Sequence, residues 1–149
     1  MNQGRRHIEV IYCDDIRDEV GNKLSYMGVY SGELNVPTAP VVLPKLCIAV
    51  KVITDFNDPL RELEVRIVKG DDEVELLTTG PIPMLEDTSC FDGNPARLGV
   101  RLTFMLAPFQ IDEDSILRVK AKTEREELQA MALRIRVATP PEQPATPLS

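Results

Sequence analysis

The chain has 149 residues, 43% of them apolar, no tryptophan, and 24 acidic against 17 basic side chains for a net charge of −7. That length supports one domain, able to bury about 70% of its unfolded surface without help from a metal or disulfide. The acidic balance disfavours non-specific nucleic-acid binding, no apolar run is long enough to span a membrane, and MNQGRRHIEV lacks the apolar core of a secretory signal.

Taken in chain order, the elements read as strands. Residues 6–13 form an apolar run in which Ile8, Val10 and Tyr12 share a face, and residues 23–34 give a second run. In LCIAVKVI, Leu46, Ile48, Val50 and Val52 lie on one side. Leu63, Val65 and Ile67 then alternate with Glu62, Glu64 and Arg66, and residues 73–79 follow across Gly70-Asp71-Asp72, a short hairpin turn. Leu98, Val100, Leu102, Phe104 and Leu106 form one row. Leu117, Val119 and Ala121 alternate with Arg118, Lys120 and Lys122, and Met131, Leu133, Ile135 and Val137 alternate with Arg134 and Arg136. Period two with one polar face is the mark of antiparallel sheets packed on a single core. About eight such strands predict an all-β antiparallel sandwich, immunoglobulin-like or C2-like, over residues 1–138.

The punctuation agrees. Pro37, Pro40 and Pro44 force an extended connection suited to a crossing between sheets. Residues 80–95 are the longest stretch without strand character, and residues 139–149, with four prolines, read as a flexible tail. Residues 124–132 have a helix-favouring composition, but the alternation after them favours a hairpin turn into the last strand.

The stretch CDDIRDEVGN raises the first question of function. Asp14 or Asp15 can cap a single helical turn over residues 16–20, which Gly21-Asn22 would end. A catalytic reading needs a base for Cys13, and the only histidine, His7, lies about 20 Å away along one strand. Cys13 also falls on the face opposite Tyr12. Three widely spaced cysteines make no disulfide framework and point to reduced, inert thiols in a bacterial-type cytosol. Calcium is the better alternative, because loop aspartates of a sandwich can bind it. If successive strands reverse, Asp14, Asp55, Asp58 and Asp92 meet at one end, away from Asp112 and Asp114. The competing explanation is that acidic residues are ordinary turn residues.

Charge is also segregated. Arg101, Arg118, Lys120, Lys122, Arg134 and Arg136 occupy the polar phase of the last three long strands. Neighbouring strands would make them one basic face, fit to dock an acidic partner or an anion, or else paired with Glu62, Glu64 and Glu75 across strands. There is no glycine-rich phosphate loop, no Cys-x-x-Cys, no His-rich motif and no Gly-x-Ser-x-Gly. The expectation is a non-enzymatic chain with no catalytic residue and no cofactor.

The stretch YCDDIRDEVGNKLSYMGVYSGEL, followed by VP and then LPKLCIAV, resembles the leading signature of a family of small bacterial, phage and prophage proteins of about this length. The resemblance covers Tyr12 to about Val50 and implies no catalytic residue. It implies a bacterial or phage-encoded cytoplasmic origin. The expected function is therefore a protein-interaction module, binding a protein partner or a second copy of itself through a sheet face or edge. A loop-end site for calcium or a small anion, and a virion structural component, are the alternatives.

Overall fold

The computed structural model describes residues 6–55, 57–83 and 97–138. They form thirteen strands: β1 (His7–Glu19), β2 (Lys23–Val29), β3 (Glu33–Val36), β4 (Val41–Leu43), β5 (Leu46–Asp55), β6 (Glu62–Lys69), β7 (Val74–Thr78), β8 (Ile82–Pro83), β9 (Arg97–Leu106), β10 (Phe109–Ile111), β11 (Ser115–Thr123), β12 (Glu127–Gln129) and β13 (Leu133–Val137). Among the described residues there is no helix long and apolar enough to cross a membrane.

The strands build the predicted all-β sandwich. Sheet A runs β2-β1-β5-β9, and sheet B runs β3-β13-β11-β6-β7, with β12 added to β11 and β8 to β6. The short β4–β10 pair carries Phe109 and Ile111 into the core. Strand alternation places the apolar rows as expected. In sheet A, Tyr12 lies opposite Ile48 and Ile48 opposite Phe104, while Val10, Val50 and Leu102 form the next row. In sheet B, Ala121 faces Val65, Val119 faces Ile67, and Leu117 faces both Lys69 and Leu133 in the ladders. The two inner faces merge into one cluster in which Ile48, Val50, Val52, Leu63, Val65, Ile67, Leu117, Val119 and Leu133 are fully buried. Tyr12 fastens the sheets together as well as filling the core, its hydroxyl donating to the Met131 carbonyl at 2.7 Å.

The local structure departs from expectation in three places. The helical turn expected over residues 16–20 is absent: β1 runs unbroken to Glu19, and Gly21 and Asn22, both at positive φ, make the hairpin to β2. The run 23–34 is two strands in different sheets, because the chain crosses from A to B through residues 30–32. β3 then pairs with β13 in parallel, so the sandwich is not purely antiparallel. Residues 124–132, by contrast, follow the favoured reading and are not helical. β11 turns at 124–126 and returns as β12 on the same strand, and β13 continues the return farther along it.

Candidate functional site

Of the four aspartates expected to share an ion, Asp14 lies apart from Asp55. β1 runs antiparallel to β5 with Cys13 opposite Cys47, so Asp14 stands beside the start of β5, whereas Asp55 ends that strand. The 10-residue length of β5 separates them, a span of about 30 Å. β2 and β5 both run antiparallel to β1, so the chain between them makes no net reversal, where simple alternation of strand direction assumes one. Asp92 lies outside the described residues, as do Glu86 and Asp87. Among the described residues, no three His, Cys, Asp or Glu side chains gather in a way that could hold a metal ion.

Asp14 and Asp15 act within their own strand surface. The Tyr30 hydroxyl donates to Asp14 Oδ1, and burial together with that carboxylate pushes the Tyr30 hydroxyl's pKa up. Asp14 faces Gly28, which has φ +67°, and a Cβ built there would lie 2.2 Å from Asp14 Oδ2. The glycine is thus the space into which the carboxylate folds. Asp15 accepts from Lys45 Nζ at 2.6 Å and Arg17 Nε at 2.9 Å, and these hydrogen bonds hold its carboxyl at a pKa of about 2. Cys13 and Cys47 are direct cross-strand partners, both buried and free. Burial, and next the Cys47 thiol, push the Cys13 thiol's pKa up, which keeps it protonated and unreactive.

Asp58 lies in a different environment. It joins an ionic junction where the start of β1, the β5–β6 loop and the β11–β12 turn converge. The Arg6 side chain is 1% exposed. Its Nη2 donates to Asp58 Oδ1 at 3.2 Å, the Pro59 carbonyl at 2.9 Å and Glu124 Oε1 at 2.6 Å. Arg125 grips the same aspartate with two parallel bonds, Nη1 to Oδ1 at 2.9 Å and Nη2 to Oδ2 at 2.5 Å. The Arg61 backbone N–H donates to the other Glu124 oxygen at 3.3 Å. Burial works to raise the Glu124 carboxyl, but the Arg6 and backbone hydrogen bonds outweigh it and hold its pKa at about 2. A small cleft of about 250 Å³ opens on this junction.

The expected basic face divides between sheets. Arg101 is on β9 in sheet A, opposite Lys51. Arg118, Lys120, Lys122, Arg134 and Arg136 share the outer side of sheet B on β11 and β13. There, cross-strand pairing accounts for part of the charge. Lys120 pairs with Glu73 and, at 3.8 Å, with Glu127; Arg66 also reaches Glu127 at 3.4 Å, and Arg136 reaches Glu33 at 3.4 Å. The expected acidic partners Glu62, Glu64 and Glu75 form no ion pair among the described residues, and Glu64 instead accepts from the Thr78 hydroxyl at 3.4 Å. A wide groove of about 1220 Å³ crosses one end of this face. Arg134 and Arg136 line one bank, the β6–β7 turn with Asp71 and Asp72 lines the other, and Ile116 and Val74 supply apolar surface between.

A family profile matches residues 9–136, from within β1 to within β13. The chain belongs to DUF6941, a family of unknown function. No match was found among curated proteins. In this DUF6941 chain the matched span takes in most of the groove and most of the ionic junction; Arg6 precedes it, and Val137 and Ala138 at the groove follow it.

Sequence reasoning passed over Arg6, Glu124 and Arg125. Arg6 opens the first run ahead of its alternating apolar residues, and it meets Glu124 across 118 positions of chain. The available signal was weak: an arginine immediately before a strand, and an acid-base pair at a hairpin turn, both common on surfaces.

Proposed function

We propose that this chain is a non-enzymatic, cytoplasmic interaction module of bacterial or phage origin that associates with a second copy of itself through the groove on sheet B. The arrangement of charge around the groove carries this reading. Arg134 and Arg136 stand on one bank and Asp71 and Asp72 on the other, with Ile116 in the floor. Arg134 has no carboxylate partner among the described residues. A two-fold axis through such a floor sets each basic bank against its partner's acidic bank, so one patch serves both copies. Val74, 58% exposed, and the partly buried Ile116 and Leu76 give the contact an apolar centre inside a charged rim.

Light scattering and sedimentation of the purified chain test the proposal. The expected result is a dimer that loosens as salt rises, because the rim contacts are screened. Arg134→Glu with Arg136→Glu should give a folded monomer whose circular dichroism matches that of the wild type. Mixing that variant with Asp71→Lys/Asp72→Lys should restore a mixed dimer. A wild type that stays monomeric at millimolar concentration, or a double variant that associates as before, would overturn the reading.

A further inference from the structure

The outer face of sheet A carries a row of sulfur. Side chains alternate along a strand, so Cys13 and Cys47 point away from the core that their neighbours Tyr12 and Ile48 enter. The registers set Val29, Cys13, Cys47 and Met105 side by side across β2, β1, β5 and β9. The two thiols are 0% and 1% exposed although they face outward, while Val29 and Met105 beside them are 55% and 56% exposed. Both thiols lean on adjacent peptides of β1 through long bonds, Cys13 Sγ to the Asp15 carbonyl at 3.4 Å and Cys47 Sγ to the Asp14 carbonyl at 3.8 Å. Backbone bonding fixes their spacing. The Tyr12 carbonyl accepts from the Tyr30 N–H at 2.8 Å, so the Tyr12 backbone groups face β2 and those of Cys13 face β5. Cys13 and Cys47 are therefore a hydrogen-bonded pair, with Cβ atoms toward the wide end of the cross-strand range of about 4.5–5.5 Å. A disulfide needs about 3.5–4.5 Å. The pair is set too wide for a direct S–S bond and leaves room for an ion between its sulfurs. By the same alternation Cys47 and Met105 are a non-hydrogen-bonded pair, whose side chains lie closer. The methionine is unbranched and flexible, so its thioether can reach the neighbouring thiol.

We propose that Cys13 and Cys47, with the Met105 thioether as third ligand, bind one copper(I) ion. Thiolate and thioether are soft donors and select this soft monovalent ion. Zinc takes four donors, and among the described residues no further His, Cys, Asp or Glu joins the two thiols. Binding is an exchange of protons for metal: two thiols and one copper(I) ion give a bis-thiolate unit of charge −1 and two released protons, with no change of oxidation state. The ion takes the place of the protons, so a thiol that burial keeps from acting as a nucleophile still serves as a ligand. The surroundings suit the charge. Asp15 holds Lys45 and Arg17 on the same face, and two cations against one carboxylate leave one positive charge beside the site.

The test is anaerobic titration of the full chain with copper(I) in competition with a chelator of known affinity. The third cysteine, Cys90, lies outside the described residues, so the titration is run on the wild type and on Cys90→Ser, which keeps only the two thiols of the row. Both chains should bind one ion, release about two protons for it into weakly buffered solution, and melt at a higher temperature once saturated. Cys47→Ser should abolish binding. Met105→Leu changes an exposed position, so it should keep the wild-type circular dichroism while weakening copper(I) at least about tenfold. Zinc should bind at least about tenfold more weakly than copper(I). No copper retained against the chelator, retention by the wild type but not by Cys90→Ser, undiminished binding by Cys47→Ser or by Met105→Leu, or zinc bound as tightly as copper(I) would overturn the proposal.

Discussion

Asp14 and Asp58 are both acidic residues that the sequence offers as ligands of one loop-end ion, yet the fold gives them opposite tasks. Asp58 is held by two arginines from distant parts of the chain, one of them fully buried, and the contacts join β1 of sheet A to the β11–β12 turn of sheet B. Asp14 binds a tyrosine 16 residues away and fits against a glycine of the adjoining strand. The first is a clamp between sheets, and the second pins one hairpin of one sheet. A carboxylate's worth depends on what it connects and how far its partner is removed from water.

The sharpest way to break that comparison is Arg6→Ala. It leaves Glu124 without its main partner and Asp58 with one arginine instead of two. Removing one member of a buried ionic group costs about 3–5 kcal/mol, and Glu124's partial exposure favours the lower end. Thermal unfolding should fall by roughly 10 °C. A loss below about 1 kcal/mol would mean that the junction does not clamp the sheets.

Gly28→Ala asks the matching question of the hairpin. The new Cβ must adopt φ +67° and displace the Asp14 carboxylate, so the Tyr30 bond breaks as well. The expected cost is about 2–3 kcal/mol, from backbone strain plus one lost hydrogen bond. Adding Asp14→Ala should cancel the part due to the carboxylate, a coupling of about 1 kcal/mol visible in a double-mutant cycle. Strict additivity would show that Asp14 and Gly28 do not oppose each other. Hydrogen exchange should loosen in β1 and β2 while the β6 and β11 amides stay protected, the reverse of a whole-domain effect in Arg6→Ala.

The same contrast explains what was legible in advance. The rows Ile48-Val50-Val52 and Val119-Ala121 could be read from the sequence because alternation assigns each residue to a face without knowing its neighbours. Alternation says nothing about which sheet a strand joins, so Arg101 has the expected phase and lies on the other sheet. Three-residue strands such as β4, β10 and β12 are set by the strand they pair with, and their own residues carry little signal. Alternation also assumes that each connection reverses the chain, whereas β2 and β5 both run antiparallel to β1, so β5 has the opposite direction to the one assumed and Asp55 falls at the other end. The junction was illegible for another reason: its parts lie 52 and 118 positions apart, and only the finished sandwich brings them together.

The smallest expected effect discriminates most finely, because Glu124 and Asp15 are both held at a pKa of about 2 by quite different surroundings. A carboxyl depressed in the folded chain contributes stability that is complete above its unfolded value. That contribution is lost as pH falls toward its folded value. Both groups should therefore stabilise at neutral pH and cease to do so between about pH 4.5 and pH 2. For Glu124, whose side chain is 24% exposed against a buried arginine, the contribution is about 1–2 kcal/mol after discounting for solvent. Asp15 meets Lys45 and Arg17 at the surface, with Arg17 62% exposed, so salt should screen its share away. Urea unfolding of Glu124→Gln and Asp15→Asn, at neutral and acid pH and at low and molar salt, reads the difference. The Glu124→Gln deficit should persist in molar sodium chloride, where the Debye length is about 3 Å, and disappear in acid. The Asp15→Asn deficit should disappear in either condition. A Glu124 contribution that salt removes as readily as that of Asp15 would place Arg6 in contact with water and reduce the clamp to another surface ion pair.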